Sequence, residues 1–258
     1  MIGGLLAAGL LATSSGDVLD TAKLRDAMET ARQAPAAESL AGRRFRIAIP
    51  FVDERKRTMK VLQSPARWRY DYSRGELTVM IGLGQISPEN YSGFNLQGLR
   101  TLPPLQTAFF DGHELRSPTT TVQIMRGVEK RQEIGVQSIT TSYGLAIPFA
   151  DGASALPPRF QPFMLHKVRM NQQAYHRLTR GMTLVLEGRL TALGQTPEVF
   201  CGDYSGRLSA PETHIDDTVH LSVQARQCFV TARVDTVSVR GGDGVLLAGW
   251  GTPAPDRP

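Results

Sequence analysis

The chain has 258 residues, of which 41% are hydrophobic and 21% are charged, and its formal net charge is +5. This composition excludes an intrinsically disordered protein. The length allows one large domain or two modest domains with hydrophobic cores, and a charge excess this small does not identify a partner.

The first fourteen residues have the pattern of a secretory signal peptide. An apolar run extends from Ile2 to Leu11, and Ala12-Thr13-Ser14 supplies a small-x-small cleavage site. At ten residues, the run is too short to cross a bilayer as a helix. We therefore expect residues 1–14 to be removed during export of a bacterial protein that is periplasmic or secreted. The alternative is a buried N-terminal helix.

A short N-terminal helix is predicted over residues 15–34. Ser15 can cap it, apolar residues such as Leu24 and Met28 recur at helical spacing, and Pro35 ends it. We expect this helix to dock either on the body of the protein or on a partner.

Residues 40–150 are predicted to form a first β-rich module, because the apolar period changes from helical spacing to two. In two segments, apolar side chains alternate with arginines. Phe45 and Ile47 are predicted to be buried opposite Arg44 and Arg46, and Trp68 and Tyr70 opposite Arg67 and Arg69.

The segment 43–72 contains nine basic and three acidic residues, a net charge of +6 that exceeds that of the whole chain. If its strands are neighbours, the four arginines Arg44, Arg46, Arg67 and Arg69 form one exposed basic sheet face. Sheets that bind nucleic acid place aromatic and cationic side chains on the same face. The alternation predicts opposite faces here, so nucleic acid is not the expected partner. The alternatives are an anionic envelope component, a protein surface, or an ordinary solvated face.

A second β-rich module is predicted over residues 161–250, after a linker near residues 150–162. Asn171 can cap one short internal helix that Gly181 ends, and strand-like runs follow. Residues 251–258 are predicted to be a disordered tail. The predicted fold is therefore mainly β, with two tandem modules that are sandwich-like or barrel-like, and a single continuous sandwich or barrel is the alternative.

The two cysteines of the chain, Cys201 and Cys228, lie in separate strand-like runs. An even, small number of cysteines in an exported chain indicates a disulfide, and this one is expected to contribute about 3–4 kcal/mol. The alternative is two buried free thiols. Their spacing matches no usual metal-ligand pattern, so neither a metal nor a cofactor is predicted.

Two polar clusters are weak candidates for catalysis. Asp111, His113 and Glu114 end a long irregular stretch over residues 87–114, and His214 and Asp216 precede a strand. Histidines and carboxylates that meet in loops can act as general acids and bases. Neither cluster has the His-Glu-x-x-His spacing of zinc hydrolases.

Two classes of function follow from these patterns. The first is an exported, non-enzymatic envelope or binding protein that uses the basic sheet face. The second is a hydrolase that uses the histidine and carboxylate groups. Convergence of those groups in one pocket would distinguish the hydrolase from the binding protein.

Overall fold

The computed structural model describes residues 18–34, 39–56, 64–86, 104–126, 129–150, 153–192, 198–207, 212–213 and 217–251. The predicted signal peptide and residues 252–258 of the predicted tail lie outside this part of the chain.

The described residues form two α-helices and fourteen β-strands. The helices are α1 (Thr21–Gln33) and α2 (Gln172–Thr179). The strands are β1 (Arg44–Pro50), β2 (Val52–Asp53), β3 (Ala66–Asp71), β4 (Glu76–Gly82), β5 (Gly84–Ile86), β6 (Leu105–Arg126), β7 (Glu129–Ala150), β8 (Ala153–Ser154), β9 (Phe163–Arg169), β10 (Thr183–Leu190), β11 (Val199–Arg207), β12 (Glu212–Thr213), β13 (Asp217–Arg240) and β14 (Leu246–Gly251).

These strands form one large and one small sheet. The ten-stranded sheet has the order β1-β10-β13-β7-β6-β5, with β11, β12 and β14 paired to β13 and β8 paired to β7. The four-stranded sheet has the order β2-β3-β4-β9. The prediction of a mainly β, sandwich-like fold with two short helices is confirmed, and the described strands do not close into a barrel.

Strand pairing crosses the predicted boundary between the two modules in both sheets. In the large sheet β1 pairs with β10, and in the small sheet β4 pairs with β9. Residues 150–162 therefore do not separate one sheet from the other. The division of the chain into two folding units at these residues stays a prediction.

One hydrophobic core lies between the sheets and reaches α1. It contains Leu24 and Met28 of α1, Ile47 of β1, Ile81 of β4 and Leu186 of β10, all of them buried. Burying an aliphatic side chain of this size contributes about 1.5–3 kcal/mol, so this core holds the two sheets and the helix together.

The residue just before the cap of α1, Leu19, covers part of the outer edge of the large sheet. Asp20 caps the helix by accepting a hydrogen bond from the Lys23 amide. The Leu19 amide donates to the Arg44 carbonyl, and the Arg46 amide donates to the Leu19 carbonyl. These bonds satisfy part of the edge of β1, which would otherwise be open for pairing with another chain.

The internal helix and the disulfide match their predictions. Asn171 caps α2 by accepting a hydrogen bond from the Ala174 amide, and Gly181 follows the helix with a positive φ of 74°. Cys201 on β11 lies directly opposite Cys228 on β13, and their sulfur atoms are bonded at 2.01 Å.

The prediction of an irregular stretch over residues 87–114 is wrong from Leu105 onward. Residues 87–103 lie outside the described residues, but Leu105–Arg126 form β6 and pair with β7 along almost their whole length. Asp111, His113 and Glu114 are therefore strand residues. The polar sequence of these residues is typical of a turn. Pairing with β7, which is distant in sequence, determines the conformation instead of this local preference.

Candidate functional site

The first arginine pair of the predicted basic face lies where the alternation places it. Along β1, Arg44 and Arg46 are exposed, whereas Phe45 and Ile47 are 2% and 0% exposed. Successive side chains of a strand point to opposite faces, so burial of the apolar set sends both arginines outward.

The second pair, on β3, follows the alternation only in part. Arg69 is 57% exposed and Tyr70 is buried, as predicted. Trp68 is only half-buried, and Arg67 is half-buried beside Gly82. The predicted exposure of Arg67 is wrong, and its buried Nε has no hydrogen-bond partner within the described residues. The Arg67 guanidinium lies beside Gly82 of the adjacent strand β4, a contact that a period-two pattern does not reveal.

The four arginines do not share one face. Arg44 and Arg46 belong to the ten-stranded sheet, whereas Arg67 and Arg69 belong to the four-stranded sheet. The prediction of a single stripe is wrong because the alternation determines the faces of each strand but not its neighbours. The binding role assigned to these four residues stays a prediction.

A different set of arginines is aligned on the outer face of the large sheet. Arg44 on β1 is directly opposite Arg189 on β10, and Arg189 is directly opposite Arg233 on β13. All three side chains are exposed. We call these three residues the arginine row. Because neighbouring strands are about 4.8 Å apart, the row spans about 10 Å of backbone.

The charges of the row are only partly neutralised. Arg233 contacts Asp235 at 3.3 Å, and Arg46 beside the row contacts Glu187 at 3.2 Å. Within the described part of the chain, neither Arg44 nor Arg189 forms an ion pair. Like charges that face each other across strands destabilise a sheet, so the charges of the row do not contribute to the stability of this sheet.

Sequence reasoning missed Arg189 and Arg233. The only local signal is their position in strand-like runs, where each alternates with apolar residues. Their alignment with Arg44 depends on the register of three strands that lie far apart in the sequence, and on the bulge between Glu187 and Gly188.

Among the described residues, the catalytic candidates Asp111 and His113 are not joined to each other by a hydrogen bond. Arg25 on α1 donates to the carboxylate of Asp111 at 3.1 Å, so that carboxylate is held in an ion pair. The His113 ring is exposed, with its centre 6.2 Å from the Tyr143 ring. The Glu114 side chain, His214 and Asp216 lie outside the described residues.

A polar junction beside His113 instead holds α1 on the sheet. The Tyr143 hydroxyl donates to Glu29 at 2.5 Å, and Arg32 contacts the same carboxylate at 2.6 Å. Burial raises the pKa of Glu29, but these hydrogen bonds and the charges of Arg32 and Arg226 together lower it by more, so its pKa lies below the ordinary value. Burial, and then the Glu29 charge, raise the pKa of Tyr143. Both groups are thus kept in their ordinary ionic forms at neutral pH.

No family model, curated protein or solved structure matches this chain.

The described residues contain no group of three or more histidine, cysteine or acidic side chains placed to hold a metal ion. None of the helices within them has the length and apolar character needed to cross a bilayer.

Proposed function

We propose that this chain is an exported, non-enzymatic binding protein whose arginine row binds an anionic partner, with an anionic component of the cell envelope as the expected one. The alignment of Arg44, Arg189 and Arg233 across three adjacent strands carries the proposal. An acidic protein surface is the alternative partner that the test must distinguish.

The energetics of the row favour a ligand with several negative charges. A guanidinium group donates two parallel hydrogen bonds to a phosphate or a carboxylate, and it is weakly hydrated compared with an ammonium group. A partner with regularly spaced anions relieves the repulsion between Arg44 and Arg189 while it gains these contacts. The same residues give no comparable benefit to the free protein.

Export is the second part of the proposal. The apolar run followed by a small-x-small site supports it, and so does the Cys201–Cys228 disulfide, because disulfides persist in oxidising compartments and are rare in the cytosol. Mass spectrometry of material exported from a bacterial host is expected to show the loss of residues 1–14. Recovery of the intact N-terminus would contradict this part.

The binding test uses vesicles of phosphatidylglycerol mixed with phosphatidylcholine, with phosphatidylcholine vesicles as the reference. Each arginine near an anionic surface contributes about 1 kcal/mol, so R44Q/R189Q is expected to weaken binding about thirtyfold at low salt. The matched control is R74Q/R169Q, which removes two exposed arginines elsewhere and should change binding less than about twofold.

Two results would contradict the lipid assignment. Equal losses for both double variants would show that binding follows net charge and not the row. Binding to polyglutamate but not to the vesicles would assign the row to an acidic protein.

The hydrolase alternative stays a prediction, since His214 and Asp216 lie outside the described residues. Asp111 does not support the hydrolase, because its carboxylate forms an ion pair with Arg25.

A further inference from the structure

A large cleft lies outside the arginine row. Its volume is about 1740 Å³, and its walls come from β2 and the turn after it, from α2, and from the loop between β13 and β14. Small-molecule sites usually measure about 300–1,000 Å³. The size of the cleft therefore favours a segment of a macromolecule. None of the arginine-row residues lines it.

The floor of the cleft is a rigid aromatic cluster. Tyr175 of α2 is buried and stacks on Tyr70 of β3, with ring centres 3.9 Å apart and planes inclined by 11°. The hydroxyl oxygens of Tyr72 and Tyr175 are 2.7 Å apart. Tyr72 is nevertheless 54% exposed, so its ring is held in place by buried neighbours and is open to a ligand.

One cation is fixed above this floor. The Arg55 guanidinium donates to both carboxylate oxygens of Asp53, with its shortest bond at 2.6 Å. It also lies 5.9 Å from the centre of the Trp68 ring and 5.5 Å from that of Tyr72. Contacts of this kind hold the guanidinium in one orientation before any ligand arrives, which lowers the entropy cost of binding.

Three more basic side chains surround the floor, so the cleft is cationic. Lys56, Arg177 and Arg180 are exposed and line it. The acidic residues of the lining are Asp53, which Arg55 occupies, and Asp243, which accepts a hydrogen bond from the Val245 amide at 3.0 Å. The cleft thus offers more positive than negative charge to a ligand.

An apolar wall completes the cleft. Val245 and Leu247 are 56% and 43% exposed, although both are aliphatic. Aliphatic side chains held open beside a cluster of cations match a ligand that alternates acidic and apolar groups. An extended peptide has this property, because its successive side chains point to opposite sides.

We propose that the cleft lined by Arg55, Lys56, Tyr72, Arg177, Val245 and Leu247, which we call the aromatic cleft, binds an extended acidic segment of a partner protein. Its acidic side chains contact the cations, and its apolar side chains pack on Tyr72 and the aliphatic wall. The attraction between opposite charges orients the peptide and accelerates its association, and the apolar contacts make the binding selective.

Single-stranded nucleic acid fits the aromatic cleft less well. Successive bases stack on successive open ring faces, but Tyr175 is buried and the Arg55 guanidinium lies over Trp68, so the exposed part of the Tyr72 ring offers too small an aromatic surface for a run of bases. Val245 and Leu247 have no ring on which a base can stack. An oligonucleotide is nonetheless a necessary comparison, because it shares the negative charge of the peptide.

The test measures binding of a short synthetic peptide in which glutamates alternate with leucine and phenylalanine. The W250F variant leaves Trp68 as the single tryptophan of the protein, so its fluorescence reports on the cleft directly. Saturable binding with a fluorescence change is expected. The comparison probes are polyglutamate of the same length and oligothymidylate.

Charge and apolar contacts are tested by separate variants, each with a matched control. K56E/R177E is expected to weaken peptide binding at least about tenfold, whereas R74E/R169E, with the same charge change outside the cleft, should change it less than about twofold. L247S should weaken it about fivefold, whereas L165S on β9, equally exposed but outside the cleft, should have little effect. Circular dichroism checks that every variant is folded.

Three results would overturn the proposal. They are equal affinity for polyglutamate, tighter binding of oligothymidylate in competition with the peptide, and the absence of saturable binding up to about 1 mM. Failure here leaves the arginine row untested, because R44Q/R189Q should not change peptide affinity and K56E/R177E lies outside the row.

Discussion

The arginine row and the aromatic cleft are both cationic, but their charges are held in opposite ways. In the row, Arg44 and Arg189 face each other without an ion-pair partner in the described part of the chain. In the cleft, Arg55 is fixed by Asp53 and by two aromatic rings. One protein thus presents cations either as an array whose like charges face each other across strands or as a group that a carboxylate and two aromatic rings hold in one orientation.

The two surfaces also differ in the range of the interactions that create them. Asp53 and Arg55 are two residues apart, so the anchor of the cleft is local. The row aligns residues from β1, β10 and β13, and its geometry depends on the register of all three strands. Four predictions follow from this difference, from the largest expected effect to the smallest.

Truncating the floor of the aromatic cleft should have the largest effect on stability. Y175A removes a buried ring that stacks on Tyr70, and a loss of about 3–5 kcal/mol in the free energy of unfolding is expected. Y175F removes only the hydroxyl contact with Tyr72 and should cost about 1 kcal/mol. Urea denaturation measures both. A cost below about 1 kcal/mol for Y175A would show that the cleft does not rest on this cluster.

Reducing the disulfide should destabilise the sheet that carries the row. Cys201 and Cys228 are separated by 27 residues, and loss of the cross-link is expected to lower the free energy of unfolding by about 3–4 kcal/mol. Denaturation curves of the oxidised protein and of the C201S/C228S variant provide the measurement. An unchanged midpoint would mean that strand pairing alone determines the stability of β11 and β13.

Charge removal should change stability in opposite directions on the two surfaces. R189Q removes the repulsion with Arg44 and Arg233 and should raise the free energy of unfolding by about 0.2–1 kcal/mol at low salt. R55Q breaks a partly exposed ion pair and should lower it by up to about 1 kcal/mol. R74Q is the control, because it breaks only a longer and more exposed contact, 3.7 Å from Asp71, and should change the free energy of unfolding less. Added salt should shrink the effects of R189Q and R55Q. The same sign for R189Q and R55Q would remove the distinction between the surfaces.

Acid should weaken the anchor of the cleft. The hydrogen bonds from Arg55 hold the pKa of Asp53 below its ordinary value of about 3.9, although burial opposes them. Their contribution is present above about pH 4 and is lost as the pH falls through the lower, folded-state pKa. The stability difference between the wild type and D53N should therefore shrink as the pH falls. A difference that is the same in acid as at neutral pH would contradict the assigned cause.

Local patterns in the sequence predict a substantial part of the fold. The alternation around Arg44 and Phe45, the cap at Asn171 and the pairing of Cys201 with Cys228 are all observed. The alternation and the cap each depend on a short stretch of chain. The disulfide has only one possible pairing, because the chain has two cysteines.

The candidate sites could not be predicted to the same extent, because they depend on contacts between distant segments. Nothing around Arg44 shows that Arg189 will lie opposite it, and nothing around Tyr72 shows that Leu247 will share its cleft. Arg67 illustrates the same point within one strand. Its guanidinium lies beside Gly82 of the adjacent strand β4, a contact that the alternation of β3 does not reveal.

The central position of β13 has a consequence for the order of folding. This single strand pairs with β7, β10, β11, β12 and β14, and it begins only at Asp217. A nascent chain that ends before this point carries β7 and β10 with unsatisfied backbone donors and acceptors, and such open edges recruit other chains. The pairing of β13 with β7 joins residues as distant in sequence as Gln132 and Asp217, and such pairings form slowly. C-terminal truncation within β13 is therefore expected to yield aggregates, whereas truncation after Gly251 should leave folding intact.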